Sequence, residues 1–415
     1  MHEHEIPGEP GEKTLERQIR AFHWVRLLTE LPGRLAGGPF EREAADRVEA
    51  WMREIGFEDV RRSPVPSRPP AGLGLALHLG LGALGCWLGG AFGLVLAGVA
   101  LLSFHREQRV GVRGLGAWLG ARESLNVVAR AGPERPRRRV VLTAHIDAAQ
   151  AGRVFARRHV ERLSRWLGPR IAASRSGALA LPERLLWAAA LVAAASALGA
   201  DGWLLFAARF VVGGLLVLGG MVMLEWGFAP PTPGANDNAS GVAAMLTCGE
   251  QLLVRLPPDV ELWLVGTGAE EVGLCGMRAF LDEHAAWRAD LTAYVNFECV
   301  GGGALHWVRS EGGLVRHSHA PTLTELARRL ARGGAFAEIT AVDLAASTDG
   351  ALAAARNLHA LSLISLEADG VPRNYHRAED TAEALDMELV VRAADFADAV
   401  VVAWLRGAAD PLAIV

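Results

Sequence analysis

Several acidic and imidazole side chains of this sequence stand beside turn-forming residues, where they could bind metal ions. The polar octapeptide Gly234 to Gly241 separates an apolar stretch from the helical pattern Val242 to Leu253, and Asp237 stands at its centre. A carboxylate in such a loop can bridge two cations, one through each oxygen, while neighbouring Asn and Ser side chains hold the loop. The same composition is typical of a helix cap, so the octapeptide alone leaves both interpretations open.

Two further groups follow apolar segments that are typical of buried strands. His145 could bind a metal through one ring nitrogen while Asp147 orients the ring, although a structural histidine is the ordinary alternative. Glu270 and Glu271 occupy one short loop and project differently from it. One can therefore ligate a cation while the other serves as a general base, unless they are simply a surface acid pair.

Glu298 and His376 complete the set of candidates. Glu298 ends a predicted strand ahead of three glycines, and His376 stands in a late loop, where an ordinary loop histidine is the alternative. Strands alternate with helices along the chain, which predicts an α/β fold with a doubly wound mixed β-sheet and helices on both faces. Ligands of such sheets gather at the carboxyl ends of the strands. The predicted strands are Ser124 to Ala131, Arg139 to Ala144, Val260 to Gly266, Ala293 to Val300 and Ala360 to Leu366.

The first 70 residues predict two helices and a connector. Apolar positions at helical spacing predict helices at Thr14 to Leu31 and at Glu41 to Ile55. Phe57 to Arg62 could begin an edge strand, and four prolines then predict a stiff connector. These prolines are Pro64, Pro66, Pro69 and Pro70.

Composition points to membrane contact and away from several other classes. The chain has 415 residues, of which 51% are hydrophobic, and its mean hydropathy of +0.21 comes chiefly from two apolar blocks. A formal net charge of −4 gives no case for a nucleic-acid partner. The four cysteines show no paired spacing, which argues against a disulfide framework or a zinc ribbon. Met1 to Arg20 has no apolar region of the kind found in a signal peptide.

The first apolar block, Ala71 to Phe104, runs for 34 residues without Asp, Glu, Lys or Arg. It predicts either two short membrane spans that turn near Gly89, or one tilted helix with a re-entrant piece. A buried hairpin of a soluble core is the alternative. Gly85, Gly89 and Gly93 recur at a four-residue spacing that permits close helix packing in lipid.

The second apolar block, Leu185 to Trp226, is interrupted at Asp201 and predicts two more spans. Arg209 stands close enough to that interruption to extend its guanidinium to the interface. Between the blocks, Arg153 to Arg175 alternates arginines with apolar residues. This pattern is typical of a basic amphipathic helix on a membrane surface, and a solvated helix beside the catalytic domain is the alternative.

The candidate groups resemble, in chain order, the site of the M28 family of zinc aminopeptidases. The most specific marks are the loop Asn236 to Gly241 and the run Glu270 to Leu274. The opening Leu31 to Gly37 and the triplet Ser347 to Asp349 are also similar to the family. The resemblance implies a zinc exopeptidase-like α/β fold, and it does not extend to the apolar blocks or the arginine-rich segment.

The resemblance also implies a set of ligands for two zinc ions. Asp237 would bridge them, His145 and Glu298 would complete one site, and Glu271 and His376 would complete the other. The family usually has Asp at the position of Glu298. This departure bears on whether the site completed by His145 and Glu298 holds a zinc ion.

The implied reaction is hydrolysis of N-terminal residues from peptides. A water held between the metals would attack the peptide carbonyl, with Glu270 as the general base that later returns the proton to the leaving amine. Asp147 would be the second catalytic residue. Arg377 stands where a small hydroxyl residue is frequent in the family and would alter the mouth of the site.

Two other classes of function remain open at this stage. Glutaminyl cyclases share the resembled fold with a single zinc, and the substitution at Glu298 keeps a cyclising transferase under consideration. A membrane-tethered, non-catalytic binding module would require loss of ligands or base, and none is lost. Metal content distinguishes the three classes, because the peptidase should hold two zinc ions, the cyclase one and the module none.

The expected organisation is a peptidase domain with two inserted membrane hairpins. The peptidase domain would comprise residues 1–70, 105–152 and 230–415, the hairpins residues 71–104 and 185–229, and the membrane-surface segment residues 153–184. Each hairpin must return to its starting side, and arginines flank both blocks. The positive-inside rule therefore predicts a catalytic domain on the cytoplasmic face of the plasma (inner) membrane. Peptides and the lipid bilayer are the expected partners, and the sequence gives no oligomeric state.

Overall fold

The computed structural model describes residues 12–110, 114–120, 122–156 and 175–407. Within them, nine strands form one mixed sheet in the order β1-β2-β4-β3-β5-β9-β6-β7, and β8 pairs with β6. The strands are β1 (Asp59–Ser67), β2 (Arg122–Ala131), β3 (Arg138–His145), β4 (Val260–Thr267), β5 (Thr292–Glu298), β6 (Ala304–Glu311), β7 (His317–Ser318), β8 (Thr340–Leu344) and β9 (His359–Leu366).

Eleven α-helices accompany this sheet in the described residues. They are α1 (Glu12–Thr29), α2 (Pro39–Glu54), α3 (Ala71–Leu88), α4 (Gly90–His105), α5 (Arg175–Ala197), α6 (Trp203–Phe228), α7 (Ser240–Leu253), α8 (Cys275–Glu283), α9 (Pro321–Leu330), α10 (Asp349–Ala355) and α11 (Met387–Gly407).

Four parallel strands form the centre of the sheet. In the order β4-β3-β5-β9 they run in the same direction, and all are rich in buried apolar residues. His145, the last residue of β3, pairs with Thr267, the last residue of β4. Glu298 ends the adjacent β5. The carboxyl ends of the central strands therefore bring three candidate segments to one edge of the sheet.

Helices cover both faces of the sheet, which confirms the predicted fold class. On one face, α1, α2, α7 and α11 bury a large apolar core that includes Trp24, Leu142, Leu246 and Phe396. On the other face, α8 and α10 pack over a smaller core that includes Phe280. This double cover keeps the central strands dry on both sides, as parallel strands require.

The predicted proline connector is wrong for its first half. Pro64 and Pro66 lie within β1, where they face Leu125 and Glu123 of β2, and Val65 between them is buried. β1 is the edge strand of the sheet, with a partner strand on one side only, and this is where a strand tolerates proline. The sequence analysis also missed β6, β7 and β8.

The first apolar block forms a helical hairpin. Helices α3 and α4 meet at Gly89, whose positive φ of 60° makes the turn. A side chain at Gly85 would lie 2.6 Å from the backbone nitrogen of Ala97 and 2.7 Å from the carbonyl oxygen of Gly93, so the two backbones are in direct contact. The block therefore adopts the two-helix arrangement, with the expected close packing at the glycines.

The second block forms the helices α5 and α6, and α5 begins at Arg175, earlier than the predicted boundary at Leu185. Together α3 to α6 make a bundle, here called the apolar bundle, with a core that includes Leu79, Phe104 and Leu216. Many large apolar side chains point outward, among them Phe92, Leu102, Phe206, Phe210 and Leu218. Two of the described helices, α3 and α6, are long and apolar enough to cross a membrane.

The turn between α3 and α4 and the turn between α5 and α6 lie at the same end of the apolar bundle. The Arg209 guanidinium donates to the Ser196 hydroxyl, and the same hydroxyl accepts a bond of 3.0 Å from the N–H of Gly90. Most of the predicted amphipathic helix Arg153 to Arg175 lies outside the described residues. Its described beginning, Arg153–Phe155, is one turn of 3-10 helix.

Candidate metal centre

The structure gathers all the predicted ligands at the carboxyl edge of the central strands. His145 ends β3, Glu298 ends β5, and the loop after β4 carries Glu271. His376 comes from the loop after β9, and Asp237 from the loop before α7. These five side chains are buried or nearly so.

The first group of ligands is His145, Asp237 and Glu298. The Nε2 atom of His145 lies 3.2 Å from Oδ1 of Asp237 and 3.4 Å from Oε1 of Glu298. The longer side chain of Glu298 thus reaches the same histidine nitrogen as Asp237. The three ligand atoms lie close enough together to surround one ion.

The second group is Asp237, Glu271 and His376. The Nε2 atom of His376 lies 3.3 Å from Oδ2 of Asp237 and 3.2 Å from Oε2 of Glu271. Asp237 therefore directs one carboxylate oxygen toward each histidine. This is the geometry expected of a carboxylate shared by two cations.

Asp147 fixes both His145 and the loop that carries Glu270 and Glu271. Its carboxylate oxygens accept the backbone N–H groups of Glu270 and Glu271, at 3.1 Å each. Its backbone carbonyl lies 3.1 Å from Nδ1 of His145. Since a carbonyl can only accept, Nδ1 carries the proton and Nε2 keeps its lone pair for a metal.

The polar side chains of the central octapeptide tie it to the end of β5. Asn236 and Ser240 accept the N–H groups of Gly301 and Val300 at 2.8 and 3.0 Å. Asn238 accepts the N–H of Cys299 at 3.0 Å. The octapeptide therefore does more than cap a helix, and its position is coupled to that of Glu298.

Asp380 and Arg34 support the ligand loops, and the sequence analysis assigned neither a role. The Asp380 carboxylate accepts the N–H groups of Asn236 and Asp237, at 2.8 and 3.1 Å. The fully buried Arg34 guanidinium donates to the carbonyl of Ile146 at 3.0 Å and to that of Gly234 at 2.8 Å. Ile146 follows His145, and Gly234 begins the octapeptide that carries Asp237. Arg34 lies in the segment Leu31 to Gly37, which the sequence analysis had singled out, and that segment is the signal that could have identified it.

The electrostatics of the site reflect dense negative charge. Burial alone would raise the pKa of Asp237, yet the adjacent imidazoles of His145 and His376 hold that pKa well below its usual range. Burial lowers the pKa of His376, but Glu271 and Asp237 outweigh it and raise that pKa to about 9. Burial, together with the charges of Glu298 and Glu271, raises the pKa of Glu270 well above its usual value.

The residues present fit zinc ions. Four carboxylates and two imidazoles converge, which is a nitrogen and oxygen donor set that zinc accepts. Several of their buried polar atoms make no hydrogen bond to any described group, although burying such atoms unpaired is costly. These atoms are Oδ2 of Asp237, Oε1 of Glu271, Oε2 of Glu298 and both ring nitrogens of His376. Bound cations would satisfy the ligand atoms among them.

A sequence comparison identifies the domain that holds this site. Residues 223–401 match peptidase family M28 and include Asp237, Glu270, Glu271, Glu298 and His376. This part of the chain is an M28 peptidase domain. His145 and Asp147 precede the matched residues, and the fold brings them to the same sheet edge.

Comparisons with individual proteins agree with this domain. Over 76 residues the chain is 37% identical to the aminopeptidase YwaD of Bacillus subtilis, a match that spans 18% of this chain and 16% of that protein. The fold is similar to a zinc aminopeptidase from Bacillus subtilis, with a TM-score of 0.55 and 17% identity over 92% of this chain and 94% of that one. It is also similar to the aminopeptidase from Aneurinibacillus sp. strain AM-1, with a TM-score of 0.55 and 14% identity over 93% of both chains.

Arg377 does not enter the cluster of candidate ligands. Its Nε atom lies 3.3 Å from a carboxylate oxygen of Glu379, in a partly exposed ion pair outside the two ligand groups. The aromatic surroundings were a further feature that the sequence analysis missed. The ring of Phe155 lies 4.6 Å from that of His376, and Trp226 at the end of α6 stacks on His376 at 6.3 Å.

Proposed function

We propose that this protein is a membrane-anchored zinc aminopeptidase. The single observation that carries the proposal is the pair of ligand groups joined through Asp237, with Glu270 beside them. The described residues form three groups that could hold an ion, the third being His145, Glu270 and Glu271. The two groups that Asp237 joins support a two-metal peptidase over a cyclase with one zinc. His145 and Glu298 would hold one zinc ion, Glu271 and His376 the other, and Asp237 both.

Bound zinc would polarise the carbonyl of the scissile peptide bond and make water acidic enough to react near neutral pH. The protein's own part is to move the proton. The Glu270 carboxylate accepts a proton from the attacking water and returns it to the nitrogen of the leaving amine. Burial and the neighbouring carboxylates raise the pKa of Glu270, which favours its holding that proton before returning it.

The shape and charge of the site favour attack at a peptide's N-terminus. A hollow lined by Glu270, Glu298 and Asp237 continues to the apolar side chains of Leu344 and Ile364. The carboxylates suit a protonated α-amine, and the apolar wall suits the side chain of the first residue. These features support an aminopeptidase rather than a peptidase that cuts within chains.

The outward face of the apolar bundle supports the membrane anchor. Large apolar side chains such as Phe92, Phe206 and Phe210 are exposed along helices that pack on each other through a separate inner core. A soluble protein rarely exposes apolar surface on this scale. The catalytic domain then sits at the bundle end opposite the two turns, on the cytoplasmic face according to the flanking arginines.

The test is hydrolysis of aminoacyl and peptide substrates by protein purified in detergent. We expect chelator to abolish turnover and zinc to restore it. Glu270→Gln should keep its zinc but lose at least about 100-fold in kcat, the scale of general-base catalysis. Glu283→Gln, an exposed carboxylate at the end of α8, is the matched control. Near-wild-type turnover of Glu270→Gln would exclude Glu270 as the base.

A further inference from the structure

A second hollow adjoins the metal centre on the side of Glu271. The catalytic domain supplies Leu35 and Val272 to its wall, and the apolar bundle supplies Ala71 and Trp226. Ala71 is the first residue of α3 and Trp226 lies in the last turn of α6. The wall is thus built jointly by the peptidase fold and the inserted helices.

The order of the two hollows gives each a place along a bound peptide. Glu298 and Glu270 face the first hollow, where a protonated α-amine finds its countercharge. Glu271 borders both hollows. A peptide with its N-terminal residue in the first hollow therefore extends past Glu271, and the residue after the scissile bond enters the second.

We propose that the hollow formed by Leu35, Val272 and Trp226 binds the residue that follows the scissile bond and selects apolar side chains there. This inference rests on the proposed aminopeptidase function and adds the class of substrate, peptides with an apolar second residue. Leu35 and Val272 are aliphatic, and both are half-buried before any substrate binds. An apolar side chain would complete their burial. A polar one would find only Arg122, Gln150 and Glu271 as polar side chains in a lining that is otherwise apolar.

Trp226 is held firmly enough to act as a wall. Its indole Nε1 donates to the carbonyl of Gln150 at 3.3 Å, and the ring of Phe155 packs edge-on against it at 5.3 Å. The Gln150 amide in turn donates to the carbonyls of Gly227 at 2.8 Å and Ala229 at 3.2 Å. These bonds fix the end of α6 to the segment that follows Asp147, and so place the indole beside the metal ligands.

The experiment compares two substrates that differ only in the second residue, Leu-Leu-amide and Leu-Gln-amide. Wild-type zinc-loaded protein should prefer the first by at least about tenfold in kcat/KM, the range for one apolar pocket. Trp226→Ala should reduce that preference to about twofold or less. The preference is a ratio, so loss of folded protein or a uniform effect on His376 does not change it.

A second variant and a control complete the test. Val272→Asp places a carboxylate in the same wall and should shift the preference toward Leu-Lys-amide over Leu-Leu-amide. Trp187→Ala removes an exposed tryptophan of the same bundle and should leave the wild-type preference unchanged. A wild-type ratio near one, or an unchanged ratio in both wall variants, would overturn the subsite while the aminopeptidase stands. Failure of the wild type on every substrate would instead overturn the proposed function.

Discussion

At the scale of single residues, the site depends on a few buried polar groups that reach several loops at once. Asp237 faces both ligand histidines, and Asp147 holds His145 and the loop of Glu270 together. Arg34 joins several segments through their backbone carbonyls. Its guanidinium donates to Leu28, Ile146, Pro233 and Gly234, and so joins the first helix to both ligand loops.

Arg34→Met tests that support. The change leaves buried carbonyls without donors, and an unsatisfied buried polar group costs about 1 to 3 kcal/mol. We expect at least about 3 kcal/mol less stability in total and a lower kcat, because the loops of Asp147 and Asp237 lose a shared anchor. Thermal unfolding in detergent measures the stability, and a substrate assay measures kcat. Arg42→Met, the same change at an exposed position of α2, should have little effect, and equal effects of the two variants would refute the support role.

The grouping of the candidate ligands was predictable from sequence, whereas the residues that support them were not. Asp237, Glu271 and His376 stand in recognisable local motifs, and the structure brings them together as expected. Arg34 and Trp226 act through partners far away in the chain, at Gly234 and Gln150 respectively. Such long-range contacts leave no local pattern, because burial and the position of the partner decide them.

At the scale of elements, the strand ends determine where the chemistry lies. The parallel strands were predictable because both their faces are apolar, and they read as continuous Val and Leu runs. β1 was missed in part because proline usually excludes a strand, and only its edge position makes Pro64 and Pro66 acceptable. β6 was missed because His306, Arg309 and Glu311 interrupt its apolar residues, and Glu311 is acceptable inside the fold only because it is paired.

The buried Glu311 at the end of β6 forms an ion pair with His319, next to Thr348, the residue before α10. The Nε2 atom of His319 lies 2.7 Å from the Glu311 carboxylate, which also accepts the Thr348 hydroxyl at 2.7 Å. Burial would lower the pKa of His319, but Glu311 raises it overall. Burial would raise the pKa of Glu311, but its hydrogen bond and charge interaction with His319, and its bonds with Thr348 and Ser362, lower it overall. The pair anchors β6 to the segment that leads into α10.

The pH dependence of this pair follows from those shifts. The raised pKa of His319 contributes stability below about pH 6.5, which is lost as the pH rises through the folded-state value. The lowered pKa of Glu311 contributes stability above about pH 4.5, which is lost as the pH falls through its folded-state value. The contribution of the pair is therefore greatest between about pH 4.5 and 6.5.

His319→Gln tests the pair. At pH 6 we expect a loss of about 3 kcal/mol, the scale for breaking one partner of a buried ion pair. The difference from wild type should narrow as the pH rises above about 6.5. Thermal unfolding across pH 5.5 to 9 measures it, with Arg309→Gln in the exposed pair with Asp343 as the control, where about 1 kcal/mol or less is expected. A difference that is constant with pH would contradict the assignment.

At the scale of the whole molecule, the apolar bundle and the peptidase domain meet beside the candidate metal centre. The ends of α3 and α6 enter the domain beside Glu271, and the Trp226 ring reaches His376. The sequence predicted the hairpins from their hydropathy. It did not predict the contact of α3 and α6 with the candidate metal centre, because hydropathy identifies apolar helices and carries no information about which residues their ends contact.

The orientation of the bundle is a prediction at this scale. A reporter fused after Val415 should be active as a cytoplasmic reporter and silent as alkaline phosphatase, because the arginines flanking both apolar blocks favour the cytoplasm. A control fusion at Gly199, in the turn between α5 and α6, should show the opposite pattern. Alkaline phosphatase activity at Val415 would place the active site outside the cytoplasm.

The most direct measurement of the central claim is the zinc content of four purified proteins by elemental analysis. The two ligand groups share only Asp237, so wild type should hold two zinc ions per chain, and His145→Ala and His376→Ala one each. Asp237→Ala should hold none, because it removes a ligand from both groups. A full zinc complement in Asp237→Ala, with the protein still folded, would contradict the shared two-metal centre.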